Sequence, residues 1–499
     1  MVFKLLKLVF IAALLFVNAW VLYIFWLPNN PHHLKYIPKN ANLVFSVNTK
    51  QLSSELAHAA LFEKKQFMKL LEKEDGEESF FADKLDNGLA MLGRMTMVNF
   101  TDSSSGKDIS CFLVDVNDET RFSEFLQEQE NEVEKAEEGI SVSAWNETPI
   151  VFNNEVAVIS LDSGIHVLPA IAQLLKNGAK AENEFANGLV GDFHDFSVYS
   201  KVSDPEKTLA AFLTDIKLTG DFMEDYLEVN GVSTLNHDIE TKGNFFNEHK
   251  HSGEVPDYLK EGFLNMHFDV HTKKIFRIII EKTIIGRERS LNRAIFKELS
   301  DNLGTRLMIR AEGVKAIPNT DTTGKFDNWP LKTDIAVFIP LVDIVAEIND
   351  KFFIRQLLEH FTGDSLPMEK DGEFYVFNSD FNVTYYFHLD DKALTISHTR
   401  KKGIDLDEQF SDYSNWIWYD LDGALESLTP EGNVIFQTII SGGAEVMADG
   451  IPFSNMHFYS TGEENGKANF RGKIFFKSQE NHSLIEFIRY IPRMMGTVL

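Results

Sequence analysis

The chain has a single cysteine, Cys111, in 499 residues. No internal disulfide can form, and the fold must rest on its core and its hydrogen bonds. Without a cysteine after the hydrophobic N-terminal run, a diacylated lipoprotein anchor is excluded. Basic residues are scarce relative to acidic ones, 48 Lys and Arg against 75 Asp and Glu, for a formal net charge of −27. Such a field repels nucleic acid and anionic lipid headgroups, so a nucleic-acid partner is not expected. No HExxH, P-loop, nucleophile elbow, EF-hand or strand-borne GxGxxG occurs. The sequence therefore names no catalytic residue, metal ligand or cofactor.

Hydrophobic residues make up 44% of the chain and include 42 phenylalanines, enough for large cores and two to four domains. From Leu8 to Leu27 the run LVFIAALLFVNAWVLYIFWL has Asn18 as its one strongly polar side chain, which predicts a transmembrane helix. Lys4 and Lys7 precede it and no acid lies among residues 1–27, so the positive-inside rule predicts a single-pass protein, N-terminus in the cytoplasm and ectodomain outside. Trp20, Tyr23 and Trp26 suit an interfacial belt. Cleavage after Val17-Asn18-Ala19 would leave an apolar N-terminus, so an uncleaved signal anchor is expected.

A proline-bearing spacer follows at residues 28–37. An apolar strand, a polar cap and an amphipathic helix then recur. Leu43 to Val47 leads to Asn48, Leu52 and Leu56. Cys111 to Val116 leads to Asp118, Phe122, Phe125 and Leu126, and Phe196 to Val202 leads through Pro205 to Leu209, Phe212 and Leu213. The other cases are Asp334 to Ile339 before Pro340, Leu341, Ile344 and Ile348; Trp416 to Tyr419 before Leu421, Leu425 and Leu428; and Ile474 to Phe476 before Leu484, Phe487 and Ile488. Hairpins are expected at His271-Thr272-Lys273, at Asp390-Asp391 and through residues 462–467. The predicted class is α+β, repeated strand-helix-hairpin units with helices on one face of antiparallel sheets. Its regions are 38–312, divisible near 190 and carrying a long polar loop at 230–262; a linker at 313–332; and 333–499.

At Tyr36-Ile-Pro-Lys-Asn-Ala-Asn-Leu-Val-Phe-Ser-Val-Asn-Thr-Lys-Gln-Leu52 the chain resembles the opening of uncharacterised bacterial envelope families, lipoprotein-like or single-pass, that begin Ile-Pro-x-x-Ala-x-x-Val-x-x-Val-Asn. The resemblance implies an envelope location, periplasmic in a gram-negative cell, and carries no catalytic motif.

Three sets of residues could carry chemistry. Ser104-x-x-Lys107, Ser300-Asp301-Asn302 and Ser460-Thr461-Gly462 stand in the order of a penicillin-binding-type serine acyl-transferase, but Ser104 falls in a polar turn and not at the start of a helix, where the lysine could take its proton. His237, Asp238, Glu248, His249 and His251 are suitable metal ligand types, yet their spacing fits no closed zinc pattern and reads first as a solvated loop. His267 and His271 bracket a hairpin, and Asp420-Leu-Asp-Gly423 reads as a strand end and helix cap. The aromatic strands Phe374 to Phe377, Tyr385 to Phe387, Trp416 to Tyr419 and Phe475-Phe476 are core, or else the lining of a cleft for an apolar or glycan ligand. The leading expectation is a membrane-anchored, non-catalytic interaction or structural module of the cell envelope with an envelope protein partner. The alternatives are a carrier of a lipid or other apolar ligand and an envelope serine hydrolase.

Overall fold

The computed structural model describes residues 31–53, 87–90, 93–129, 131–136, 139–145, 148–162, 167–177, 184–189, 192–201, 213–235, 262–269, 301–318, 336–360, 368–378, 383–402, 415–426, 453–464, 466–477 and 483–484. They are 58% strand and 21% helix, and seventeen of the strand ladders between them are antiparallel. This corrects the expected α+β class: the protein is mostly antiparallel sheet, not a series of strand-helix units. The expected transmembrane helix and single-pass placement are likewise withdrawn. Among the described residues no helix is long and apolar enough to cross a membrane, and the span Leu8 to Leu27 lies outside them.

The chain forms two compact units, the first ending at Ser197. Its strands are β1 (Ala41–Asn48), β2 (Arg94–Thr101), β3 (Asp108–Asp115), β4 (Glu134–Lys135), β5 (Ser141–Trp145), β6 (Thr148–Phe152) and β7 (Val156–Ser160). They pair in the order β1-β2-β3-β7-β6-β5-β4, and β8 (Phe196–Lys201) leads out of the unit. Alternation along β2 buries Arg94, Thr96, Val98 and Phe100 on one face. Helix α1 (Glu119–Glu128) starts where Asp118 accepts a hydrogen bond from the Arg121 backbone N–H, a side-chain N-cap. It packs Phe122, Phe125 and Leu126 on Val114, Ile150, Phe152 and Ala157, with about 1.5–3 kcal/mol from each large side chain so buried.

The opposite face meets a 3-10 turn (His32–Tyr36) and helix α2 (Leu168–Asn177), and α3 (Glu184–Leu189) packs on that turn. Buried His33 contacts Asp115 through Nδ1 and Thr96 through Nε2, both at 2.9 Å. Thr96 meets Ser46 at 3.0 Å, and buried Arg94 donates to Ser46 Oγ at 3.2 Å and to the Asp192 carbonyl at 2.9 Å.

The second unit is a twelve-stranded sheet in the order β9-β10-β20-β19-β18-β11-β12-β13-β17-β16-β15-β14. The strands are β9 (Leu213–Phe222), β10 (Tyr226–Leu235), β11 (Leu264–Asp269), β12 (Leu303–Pro318), β13 (Ala336–Ile348), β14 (Met368–Asp371), β15 (Phe374–Asn378), β16 (Thr384–Leu389), β17 (Ala393–Ser397), β18 (Trp416–Asp420), β19 (Phe453–Glu464) and β20 (Lys467–Phe476). Helix α4 (Lys351–His360) covers the β13–β17 end with Ile354 and Leu358, and α5 (Leu421–Glu426) places Leu421 against Phe263, Ala311 and Phe338. Edge strand β14 exposes Glu369, Lys370 and Asp371, a charged rim that discourages pairing with other chains.

The sharpest local correction is β13. Leu341, Ile344 and Ile348 were expected on a helix, but residues 336–348 are one strand. Val342, Ile344 and Ala346 lie on one face while Asp343 and Val345 are buried on the other, and burial on both faces erases the alternation that marks a strand. Pro340, opposite Val314, sits beside the irregularity between Ala311 and Gly313, a position where a missing N–H is tolerated. Gly313 to Pro318 of the expected linker continue β12, while 319–332 lie outside the described residues. Leu213, expected on a helix, begins β9.

Candidate functional site

Five strands of the second unit, β10, β20, β19, β18 and β11, build the floor of an apolar cavity of about 320 Å³. Register decides which side chains reach it. Ile417 stands opposite Phe458 and Met266, Phe458 opposite Gly472, and Phe470 opposite both Gly231 and Ser460. These positions share one face of the sheet with Phe268, Ala468 and Ser233; of them Ile417, Phe458, Ser460, Phe470, Phe268, Ala468 and Ser233 line the cavity, and Asn415, Tyr459 and Asn469 complete the lining.

The two glycines explain why there is space. A Cβ built at Gly231 would fall within the Phe470 ring, and one at Gly472 would fall within the Phe458 ring. Both rings therefore lie down over bare backbone. With a side chain at either glycine they would have to stand up into the cavity. Phe470 and Phe458 remain half-buried, so the cavity is bounded by aromatic surface that protein alone does not cover completely.

Polar groups along the lining are mostly engaged. Asn415 adopts a left-handed φ of 57°, a conformation asparagine tolerates better than most residues, and its Oδ1 accepts from the Asp269 N–H at 2.9 Å. Its carbonyl accepts from the Ser460 N–H at 3.0 Å, and Ser460 Oγ donates to the Asn469 carbonyl at 3.4 Å. Among the described residues no charged side chain lines the cavity.

The aromatic motifs that suggested a cleft are elsewhere. Trp416 and Trp418 point to the other face of the sheet, where buried His457 stacks between them with ring centroids at 5.0 and 6.3 Å. Phe374, Tyr375 and Phe377 pack near β16, β17 and α4. Of the lining aromatics, Phe268, Phe458 and Phe470 lie on the sheet face of the cavity without another aromatic two residues away, and Tyr459 adjoins Phe458. The signal that could have found them is the pairing of aromatic with glycine across β19, β20 and β10, which requires knowing the register.

The other candidate residues do not assemble. Ser104 lies in the β2–β3 turn and donates to Asp102 Oδ2 at 2.6 Å. Ser300 lies outside the described residues. Asp301 and Asn302 end a helix just before β12, and Ser460 belongs to the cavity of the second unit. His237, Asp238, Glu248, His249, His251 and His271 fall outside the described residues, and among those described no group of metal-binding side chains occurs. His267 is a buried β11 residue. Asp420 Oδ1 accepts from the Gly423 N–H at 3.2 Å at the start of α5. Cys111 is fully buried in β3, where burial and the charge of Asp162 push its thiol up to about 12, so it is no nucleophile at neutral pH.

No protein-family model matches the chain, and no curated protein matches it. Among solved structures, crystal forms IV, I and III of TP0453 are similar at TM-scores of 0.27, 0.27 and 0.26, with 10%, 11% and 12% identity. The matches cover 40%, 43% and 42% of this chain and 79%, 81% and 82% of those, a likeness too slight to assign a fold.

Proposed function

We propose that this protein is a non-catalytic binding protein whose second unit takes up a small apolar ligand. The observation that supports this reading is the 320 Å³ apolar cavity floored by Phe458 and Phe470. Its volume falls at the lower end of small-molecule sites, roughly 300–1,000 Å³. It is about twice the roughly 150 Å³ cavity that takes up benzene, so the ligand portion inside would be about a dozen carbon atoms. At ~0.5 kcal/mol per heavy atom that gives about 6 kcal/mol, a Kd in the tens of micromolar.

The test is titration of the full-length chain, purified without detergent, with the neutral fluorescent probe N-phenyl-1-naphthylamine. Saturable enhancement with a Kd near that value is expected, lost in Ala468→Leu, which fills the cavity from its floor. Enhancement that is absent, or equal in the filled variant, would sink the reading. Native mass spectrometry with extraction of bound molecules would then identify any natural cargo.

A further inference from the structure

The two rings that floor the cavity are set in the same way. Phe470 leans from β20 over Gly231 of β10, and Phe458 leans from β19 over Gly472 of β20. A Cβ at Gly231 would stand 2.0 Å from Phe470 Cζ, and one at Gly472 would stand 2.2 Å from Phe458 Cδ1. Both rings tip by one strand toward the same edge of the sheet. Each is half-buried and lines the cavity, so each leaves aromatic surface open to it.

Glycine inside a strand weakens it, because it has no side chain to pack and more chain entropy to lose. A cavity for an alkyl chain needs only apolar walls, which aliphatic side chains supply. Two strand glycines whose shared effect is to lay rings across the floor point instead to a ligand that uses those rings. Aromatic rings in offset or edge-on contact gain more than their buried area alone gives, and a rigid ring system has no rotatable chain to immobilise on binding. The polar side chains of the lining, Ser233, Asn415, Tyr459, Ser460 and Asn469, are uncharged. A charged ligand would lose its hydration there without gaining a counter-charge.

We propose that the ligand is a neutral, planar aromatic molecule of about two fused rings, stacked on Phe458 and Phe470, and not a saturated ring or an acyl chain. The size follows from a cavity about twice that which takes up one benzene ring. This rests on the reading of the cavity as an apolar ligand site.

Isothermal titration calorimetry of the full-length chain separates the cases with three alcohols: 2-naphthol, decahydro-2-naphthol, which has the same carbon skeleton without planarity or π faces, and the flexible 1-decanol. The wild type is expected to bind 2-naphthol more tightly than decahydro-2-naphthol by roughly two- to tenfold, the worth of one aromatic pair. Phe470→Leu and Phe458→Leu, which keep apolar bulk, are each expected to lower that ratio and to weaken 2-naphthol more than 1-decanol. Binding of decahydro-2-naphthol by the same variants shows that their cavity persists. Decahydro-2-naphthol bound by the wild type as tightly as 2-naphthol, a ratio unchanged in the double variant, or equal weakening of 2-naphthol and 1-decanol would overturn the assignment while leaving the apolar site standing. Failure of all three alcohols to bind the wild-type chain would remove the site and this inference together.

Discussion

The ring of Phe470 lies over Gly231 on the neighbouring strand, in space where any other residue would have its Cβ. Phe458 stands in the same relation to Gly472. An aromatic ring laid over a bare strand covers backbone hydrogen bonds and keeps its own bulk out of the volume above the sheet. The cavity depends on both pairs.

Gly231→Val and Gly472→Val should each cost about 1–3 kcal/mol of stability, the usual range for overfilling a packed site. Each should also weaken N-phenyl-1-naphthylamine binding, because the displaced ring moves into the cavity. Denaturant titration and probe titration on the same samples check both effects. A variant that loses stability but binds as well as wild type would show that the rings do not bound the site.

Asp343 offers a second test, on the other face of the same sheet. Its carboxylate is 1% exposed and accepts from Ser397 Oγ at 2.5 Å and Lys401 Nζ at 2.6 Å, and Lys401 also pairs with Glu312. Removing one partner of a buried pair leaves the other charge uncompensated, so Lys401→Met should destabilise the chain by about 3 kcal/mol. Lys401 is itself about one-third exposed, which places the effect at the low end of that range. Adding Asp343→Asn should restore much of the loss. Equal stability of the single and double variants in urea would contradict this.

His33 ties the 3-10 turn of the first unit to its sheet. With both ring nitrogens bonded, to Asp115 and Thr96, replacement by leucine removes two hydrogen bonds, while Asp115 keeps the backbone N–H groups of His32 and His33 and Thr96 keeps Ser46. Each lost hydrogen bond is worth about 0.5–1.5 kcal/mol, and thermal unfolding of His33→Leu should show a loss of about 1–3 kcal/mol. His33→Leu combined with Thr96→Val should be less damaging than the two losses added, because both remove the same His33–Thr96 hydrogen bond.

Glu347 predicts an acid-side loss of stability. Burial by itself would raise its carboxyl, but the Arg306 guanidinium, at 2.7 Å, and the backbone N–H groups of Thr305 and Arg306 outweigh burial and hold it below its ordinary value of 4.5. A depressed carboxyl favours the folded state above its unfolded value and loses that contribution as pH falls through the lower folded one. Stability measured downward from pH 5 should therefore fall less steeply in Arg306→Gln than in wild type. Identical profiles would rule out a contribution from this pair.

Cys111 gives a simple reporter. Buried, with its thiol pushed up to about 12, it should resist iodoacetamide at pH 8 in the native chain and react in urea. Since β3 is central to the first unit, the labelling midpoint should follow the unfolding of that unit, and rapid native labelling would contradict the burial.

Local signals were legible where one force dominates. The Asp118 cap and the Phe122, Phe125 and Leu126 stripe specify α1 because a short amphipathic helix is set by its own spacing. The turn at Asp390-Asp391 joins β16 to β17, and β19 and β20 form the expected hairpin with a tighter turn than residues 462–467, since 462–464 and Lys467 are paired within the strands. The repeated rhythm misled because apolar spacing in β13 reflects burial on both faces, and because a strand followed by a helix, as at β3 and α1 or β18 and α5, does not say how strands pair.

By itself the sequence determined that no disulfide supports this protein, that it is strongly acidic, that Cys111 sits in a strand, and that no familiar catalytic motif is complete. Only the tertiary structure decided that twelve antiparallel strands join across the second unit, that Phe470 meets Gly231 and Phe458 meets Gly472, and that Ser233 faces apolar space. The physical reason is register. Phe470 and Gly231 lie far apart in the chain, Phe458 and Gly472 face each other across one hairpin, and a shift of one position along either partner strand would turn its side chains to the other face.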